Sequence, residues 1–102
     1  MANNHSVNVS SSALEDIDSI TAWYELQSVG LGIKFITEIE YSLNKIANFP
    51  QAFAAYKNLS VRRFAMKAFP YVIYYHFASF HIEIIAVIHS SRSSRYVRGR
   101  LK

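Results

Sequence analysis

"YVIYYHFASFHIEIIAVIH", residues 71–89, decides the architecture. Tyr71–Phe77 and His81–His89 are runs of aromatic and branched residues, apolar on nearly both faces, which is how strands at the centre of a sheet read. Only Ala78, Ser79 and Phe80 separate them. So short a connection joins two strands antiparallel, although no glycine marks the turn. Just upstream, "VRRFAMKAF" (61–69) alternates Phe64 and Met66 with Arg63, Ala65 and Lys67, predicting a third strand with one wet face.

Further back the period changes from two to that of a helix. Ile36, Ile39, Leu43 and Ile46 recur at steps of three and four, and "NFP" stops the pattern because Pro50 cannot continue a helix. Ala13, Ile17, Ile20 and Tyr24 make a second such stripe, which Trp23 and Leu26 widen. Ser12 stands three residues before Glu15, the capping-box spacing, so this helix is expected to begin near Ala13 with Glu15 and Asp16 at its positive end. Gly30 and Gly32 in "VGLG" end it or turn it. Before it, "HSVNVS" (5–10) places Val7 and Val9 on one side of a short strand. The expected fold is α+β: an N-terminal strand, an α-helical hairpin, then a three-strand antiparallel meander packed against the helices, as one domain over 1–102.

With 51% hydrophobic residues the chain is too apolar to stay disordered. It has no cysteine, so disulfide frameworks and thiolate zinc sites are excluded. The first twelve residues lack the basic and apolar regions of a secretion signal, and the longest apolar run, Ile84–Ile88, is far short of the roughly twenty residues a bilayer needs. A soluble, cytoplasmic protein without membrane contact is expected.

Charge is divided along the chain. Residues 1–55 hold Lys34 and Lys45 against six acids, a balance of −4, whereas residues 56–102 hold nine cations against Glu83 alone, a balance of +8. Such polarity attracts anionic partners without choosing among them. Arg95, Arg98, Arg100 and Lys102 crowd the C-terminal end, and Arg92, Arg95 and Arg98, three apart, share a stripe if 93–100 is helical. Arg63 and Lys67 share a strand face by the period of two, with Arg62 beside them. His76 and His81 flank the hairpin and are placed to face each other, but neither carboxylates nor helical spacing supports a metal site. His89 ends the last strand just before Arg92, where a general acid or base would sit. Trp23 and the tyrosines read as packing residues. No metal and no cofactor is expected.

The ordered segments "ALEDIDSITAWYE", "GLGIKFITEIEYSLNKIANFP", "VRRFAMKAFPYVIYY" and "IIAVIHSSRSSRYVRGR" resemble the RelE/ParE toxin superfamily of bacterial type II toxin–antitoxin (plasmid-stabilisation) systems, over nearly the whole chain. The resemblance implies a helical hairpin on a small, mostly antiparallel sheet, growth inhibition, and a hetero-oligomer with a cognate antitoxin whose amphipathic segment wraps the domain. RelE-type members are ribosome-dependent mRNA endoribonucleases; ParE-type members poison DNA gyrase without cutting nucleic acid. Nuclease members carry an arginine directly after the tyrosine that opens the middle strand. Val72 holds that place here, so the resemblance is closer to ParE-like members. The leading expectation is a ParE-like toxin, not an enzyme, engaging gyrase or another nucleic-acid-associated machine, and its antitoxin, through Arg62, Arg63, Lys67, Arg92, Arg95, Tyr96, Arg98 and Arg100. The alternatives are a RelE-like endoribonuclease acting on ribosome-bound mRNA through Arg62 or Arg63, Arg92, Tyr96 and His89, and a decayed toxin serving only to bind antitoxin.

Overall fold

The computed structural model describes residues 5–56 and 60–101; Lys57 and Lys102, both counted in the basic half, lie outside them. Strand β1 (Ser6–Val9) leads into helices α1 (Ser11–Gln27) and α2 (Leu31–Asn48), strands β2 (Arg62–Ala65), β3 (Tyr71–Ala78) and β4 (His81–His89), and a closing helix α3 (Ser94–Leu101). The sheet runs β1-β4-β3-β2. β3 is antiparallel to β2 and to β4, as the meander predicts, while β1 lies parallel to β4 with Ser6 opposite His81 and Val9 opposite Ile84.

Both faces of the sheet are covered where β3 begins and β4 ends, which explains why those stretches have no polar side, while His81 and Glu83 at the start of β4 are exposed. Phe64, Ile73, Tyr75, Ile82 and Ile84 pack against Ala13 and Ile17 of α1 and Phe35, Ile39 and Ile46 of α2. On the opposite face Val72, Tyr74, Ala86 and Ile88 pack against Val97 of α3, a layer additional to the expected architecture. An irregularity in β4 makes this division possible. Tyr75 stands opposite Ile84 but Tyr74 opposite Ala86, so Ile85 is an extra residue. The bulge turns Ile84 and Val87 towards the helices and Ala86 and Ile88 towards α3, and brings Tyr71 opposite His89.

The helical hairpin departs from expectation at its ends. The N-cap is Ser10, not Ser12: its hydroxyl accepts from the Ala13 N–H at 3.1 Å, while its own N–H donates to the Ile84 carbonyl at 3.0 Å, a tie to β4 closed to a residue two places further on. Glu15 consequently falls outside the first turn. Asp16 instead accepts from the Val87 N–H at 2.9 Å, clipping α1 to β4. Trp23 and Leu26 do not widen the buried stripe; they are 55% and 85% exposed. α2 approaches α1 at Gly32, where a Cβ would lie 3.1 Å from the Thr21 carbonyl oxygen. Gly30, at φ 90°, opens α2 without a capping side chain of its own, so Glu25 reaches across to accept from the Gly30 and Gly32 N–H groups at 3.0 and 2.9 Å. Those two bonds hold its carboxyl below the ordinary 4.5.

Two further expectations are corrected by register. The turn between β3 and β4 has two residues, Ser79 and Phe80, because Ala78 pairs with His81. His76 lies opposite Glu83, and His81 opposite Ala78 and Ser6, so the two histidines do not face each other. Among the described residues no helix is long and apolar enough to cross a membrane.

Candidate functional site

The alternation of β2 splits its two arginines. Arg62, opposite Tyr75, belongs to the helix-covered face, and its guanidinium donates to the Gln51 and Phe53 carbonyls at 3.2 and 2.9 Å. Arg63, opposite Tyr74, lies on the α3 face. Lys67 does not join it. The strand ends at Ala65, so the period of two no longer applies, and Lys67 lines a cavity with Glu38, Tyr41 and Lys45 on the α2 side.

Beyond β4 the chain turns tightly, with the Ser90 N–H donating to the Pro70 carbonyl at 2.8 Å and the Arg92 N–H to the His89 carbonyl at 3.0 Å. The Ser93 hydroxyl accepts from the Tyr96 N–H at 3.2 Å and so caps α3. Val97 points inward; Arg95 and Arg98 point to solvent. Arg92 precedes the helix rather than extending its stripe, and its guanidinium lies 4.2 Å from the centre of the Tyr96 ring, a cation–π contact. Arg100 is withdrawn from the exposed set. It pairs with Asp16 at 2.8 Å and donates to Ser12 at 3.1 Å, which staples α3 to α1, and the bond to Asp16 raises its already high pKa.

Arg63, His89 and Arg92 meet around a cavity of about 160 Å³ with Val72 and Tyr74 on its wall. Burial pushes the Tyr74 phenol above its ordinary 10, against the pull of Arg63. The Ser91 N–H donates to His89 Nδ1 at 3.0 Å, and the Ser91 hydroxyl lies 2.8 Å from the same atom. A backbone N–H only donates, so Nδ1 carries the lone pair and the ring proton sits on Nε2. The pocket thus offers two guanidinium groups, a pair suited to holding an anion, beside a histidine whose basic nitrogen is already engaged.

On the other side of His89 lies a cleft of about 520 Å³ walled by Trp23, Tyr24, Pro70 and Tyr71. Tyr24 and Tyr71 are fixed by their packing on Phe35, with ring centroids 5.7 Å away in each case. Burial first, then the neighbouring Tyr24, pushes the Tyr71 phenol above 10. Sequence reasoning assigned these rings to packing and did not find the cleft; the available signal was that Trp23 lies off the Ala13–Tyr24 stripe. Among the described residues no group of three His, Asp or Glu side chains is placed to hold a metal ion.

Residues 7–94 match the family described as the ParE toxin of the type II toxin–antitoxin system parDE. The chain belongs to the ParE toxin family. The fold of this ParE-family chain is similar to a solved structure of the chromosomal ParDE toxin–antitoxin system from P. aeruginosa, with a TM-score of 0.64 and 14% identity over 86% of this chain and 98% of that one. It is also similar to the toxin–antitoxin complex RelBE2 from Mycobacterium tuberculosis, with a TM-score of 0.58 and 11% identity over 84% and 98%. Among curated proteins none matches. At such identities the two structures speak to the fold alone. The family match ends at Ser94, the first residue of α3, so ParE membership rests on the hairpin and sheet, and the exposed Arg95 and Arg98 lie beyond the matched residues.

Proposed function

We propose that this chain is a ParE-like toxin that arrests growth in the cytoplasm by binding an essential macromolecular machine, with DNA gyrase the first candidate by analogy with ParE-type members. A cognate antitoxin masks the same surface. The observation that carries the reading is the state of the C-terminal cations. Arg92, Arg95 and Arg98 are exposed and, among the described residues, make no ion pair, whereas Arg62 and Arg100 are committed to internal bonds. A binding surface needs cations free to meet a partner.

The endoribonuclease is the second reading, favoured by the meeting of Arg63, His89 and Arg92 with Tyr96 nearby. Cleavage requires several groups stabilising charge on the phosphate and a proton acceptor for the 2′-hydroxyl. Val72 contributes an apolar wall, and His89 Nδ1 would first have to release Ser91.

Induction of the wild-type chain in bacteria is expected to arrest growth with messages intact and gyrase trapped on DNA. The variant with Arg92→Glu, Arg95→Glu and Arg98→Glu is expected to be harmless while folding normally. New transcript ends on ribosomes would replace this proposal with the nuclease. A wild-type chain that leaves growth untouched would replace it with the decayed, antitoxin-binding module.

A further inference from the structure

One carboxylate oxygen holds three elements together. Asp16 Oδ2, on α1, accepts from the Val87 N–H of β4 at 2.9 Å and from Arg100 Nη2 of α3 at 2.8 Å. Val87 lies two places beyond Ile85, the extra residue of the bulge, so the first bond fixes β4 where its alternation resumes. The second reaches the last turn of α3, and the same guanidinium nitrogen donates to the Ser12 hydroxyl at 3.1 Å. Both partners of the ion pair are largely withdrawn from water, Asp16 with its side chain 16% exposed and Arg100 with 24%. Charge-assisted bonds so placed are stronger than neutral ones and less screened by salt.

Helix α3 depends on such ties. With eight residues it is too short to persist on its own propensity, and Gly99 weakens it further. Ser93 caps its start, and Val97 with Leu101 packs it on the sheet. Arg100 is a polar tie near its far end, and Arg95 and Arg98, the cations offered to a partner, lie between cap and tie. A frayed last turn would spread their guanidinium groups over many positions, which a partner would then have to fix at an entropic cost.

We propose that Asp16 is a positioning residue for the arginine face: without touching the partner it holds Arg100, and so keeps α3 docked with Arg95 and Arg98 in a preformed array. This rests on the toxin reading above for what the array does, but not for how it is held. The rival account is that Arg100 itself meets the partner and Asp16 only masks it. The two differ in sign. Asp16→Asn raises the net charge by one and frees Arg100, which would strengthen a direct contact, while Arg100→Gln lowers the charge by one and removes that contact. Positioning makes both substitutions act in the same direction. Asparagine keeps an acceptor for the Val87 N–H, so the clip to β4 survives.

Hydrogen exchange on the full chain reads how α3 is held. Its amides, such as that of Val97, which donates to the Ser93 carbonyl at 3.1 Å, are expected to exchange about tenfold faster or more in Asp16→Asn and in Arg100→Gln. Combining the two substitutions is expected to add little, since each breaks the same bond. Growth on induction reads what the array does. Both single variants are expected to relieve arrest, and Arg100→Lys, which keeps a cation beside Asp16, to restore it in part. Tyr75→Phe, which loses a bond to Pro50 away from α3, is expected to remain toxic, separating positioning from general loss of stability.

Unchanged exchange in α3 overturns the proposal. Toxicity that rises in Asp16→Asn while falling in Arg100→Gln also overturns it, and would make Arg100 a contact residue. Equal loss of toxicity in Tyr75→Phe would reduce Asp16 to a contributor to stability. A wild-type chain that leaves growth untouched refutes the toxin reading alone, and the exchange pattern still decides whether Asp16 holds α3.

Discussion

Tyr75 shows how one hydroxyl links the sheet to the chain leaving α2. Its side chain is fully buried at the centre of β3, and its hydroxyl donates to the Pro50 carbonyl at 2.6 Å. Burial pushes the phenol up to about 12, with Arg62 pulling weakly the other way. The unfolded chain ionises this tyrosine near 10, so between pH 10 and about 12 the unfolded state holds fewer protons than the folded one. The contribution to stability is therefore complete below pH 10 and is lost as pH rises through the folded value. Tyr75→Phe leaves the Pro50 carbonyl without its donor and is expected to cost about 1–3 kcal/mol at neutral pH. It should also flatten the alkaline decline in urea-denaturation stability. A residual slope should remain from Tyr71 and Tyr74, whose phenols are raised by burial too. Unchanged slopes in the variant would assign the decline to other groups.

The elements divide into those the local pattern dictates and those that tertiary contacts finish. The two helices and the three meander strands follow from periodicity, because 3.6- and 2-residue repeats are properties of neighbouring residues. The β4 bulge does not. "IIAVI" is apolar at every position, so nothing in it says that Ile85 is the extra residue, and without the bulge Tyr71 would face Ile88 instead of His89. The cleft and the pocket share His89 because of that one-residue shift, which is why the sequence disclosed Arg63, His89 and Arg92 singly but not their meeting. The α1 cap was misplaced for a similar reason: Ser10 and Ser12 are equal in propensity, and the bond of Ser10 to β4 decides between them. The turn of the β3–β4 hairpin carries the clearest element-scale test. Ser79 and Phe80 have φ of 52° and 61°, the left-handed pair that a two-residue hairpin turn requires and that side chains other than those of Gly and Asn resist. Phe80 is 78% exposed, so it gains little burial in return. Replacing the pair by Asn-Gly is expected to raise unfolding free energy by about 1–2 kcal/mol, read from chemical denaturation. A loss of stability would show instead that the stacking of Phe80 on His5 outweighs the relief of strain.

At the scale of the molecule, charge is sorted by layer. The acids of the first half lie on α1 and α2, over one face of the sheet, while Arg63, Arg92, Arg95 and Arg98 belong to the other. Asp16 is the exception, neutralised by Arg100 where the layers meet. The Cα envelope measures 40 × 37 × 23 Å, and even its shortest dimension exceeds about two Debye lengths at 0.15 M salt. A polyanion meeting the α3 face there responds to local cations and scarcely to the acids behind the sheet. The net charge of +4 therefore understates the attraction. Retention on immobilised heparin separates local from net charge. Glu38→Gln with Glu40→Gln and Arg95→Gln with Arg98→Gln change net charge by the same amount in opposite senses. If net charge ruled, the two pairs would move the elution salt equally. Local control instead makes the arginine pair lower the slope of log retention against log salt by about one to two, and leaves the glutamate pair near wild type. Near 0.01 M salt, where the Debye length reaches about 30 Å, the far acids are expected to count and the difference between the pairs to shrink. Equal and opposite shifts at 0.15 M would mean that the sheet does not separate the two fields, and that the exposed arginines act only as part of the molecule's total charge.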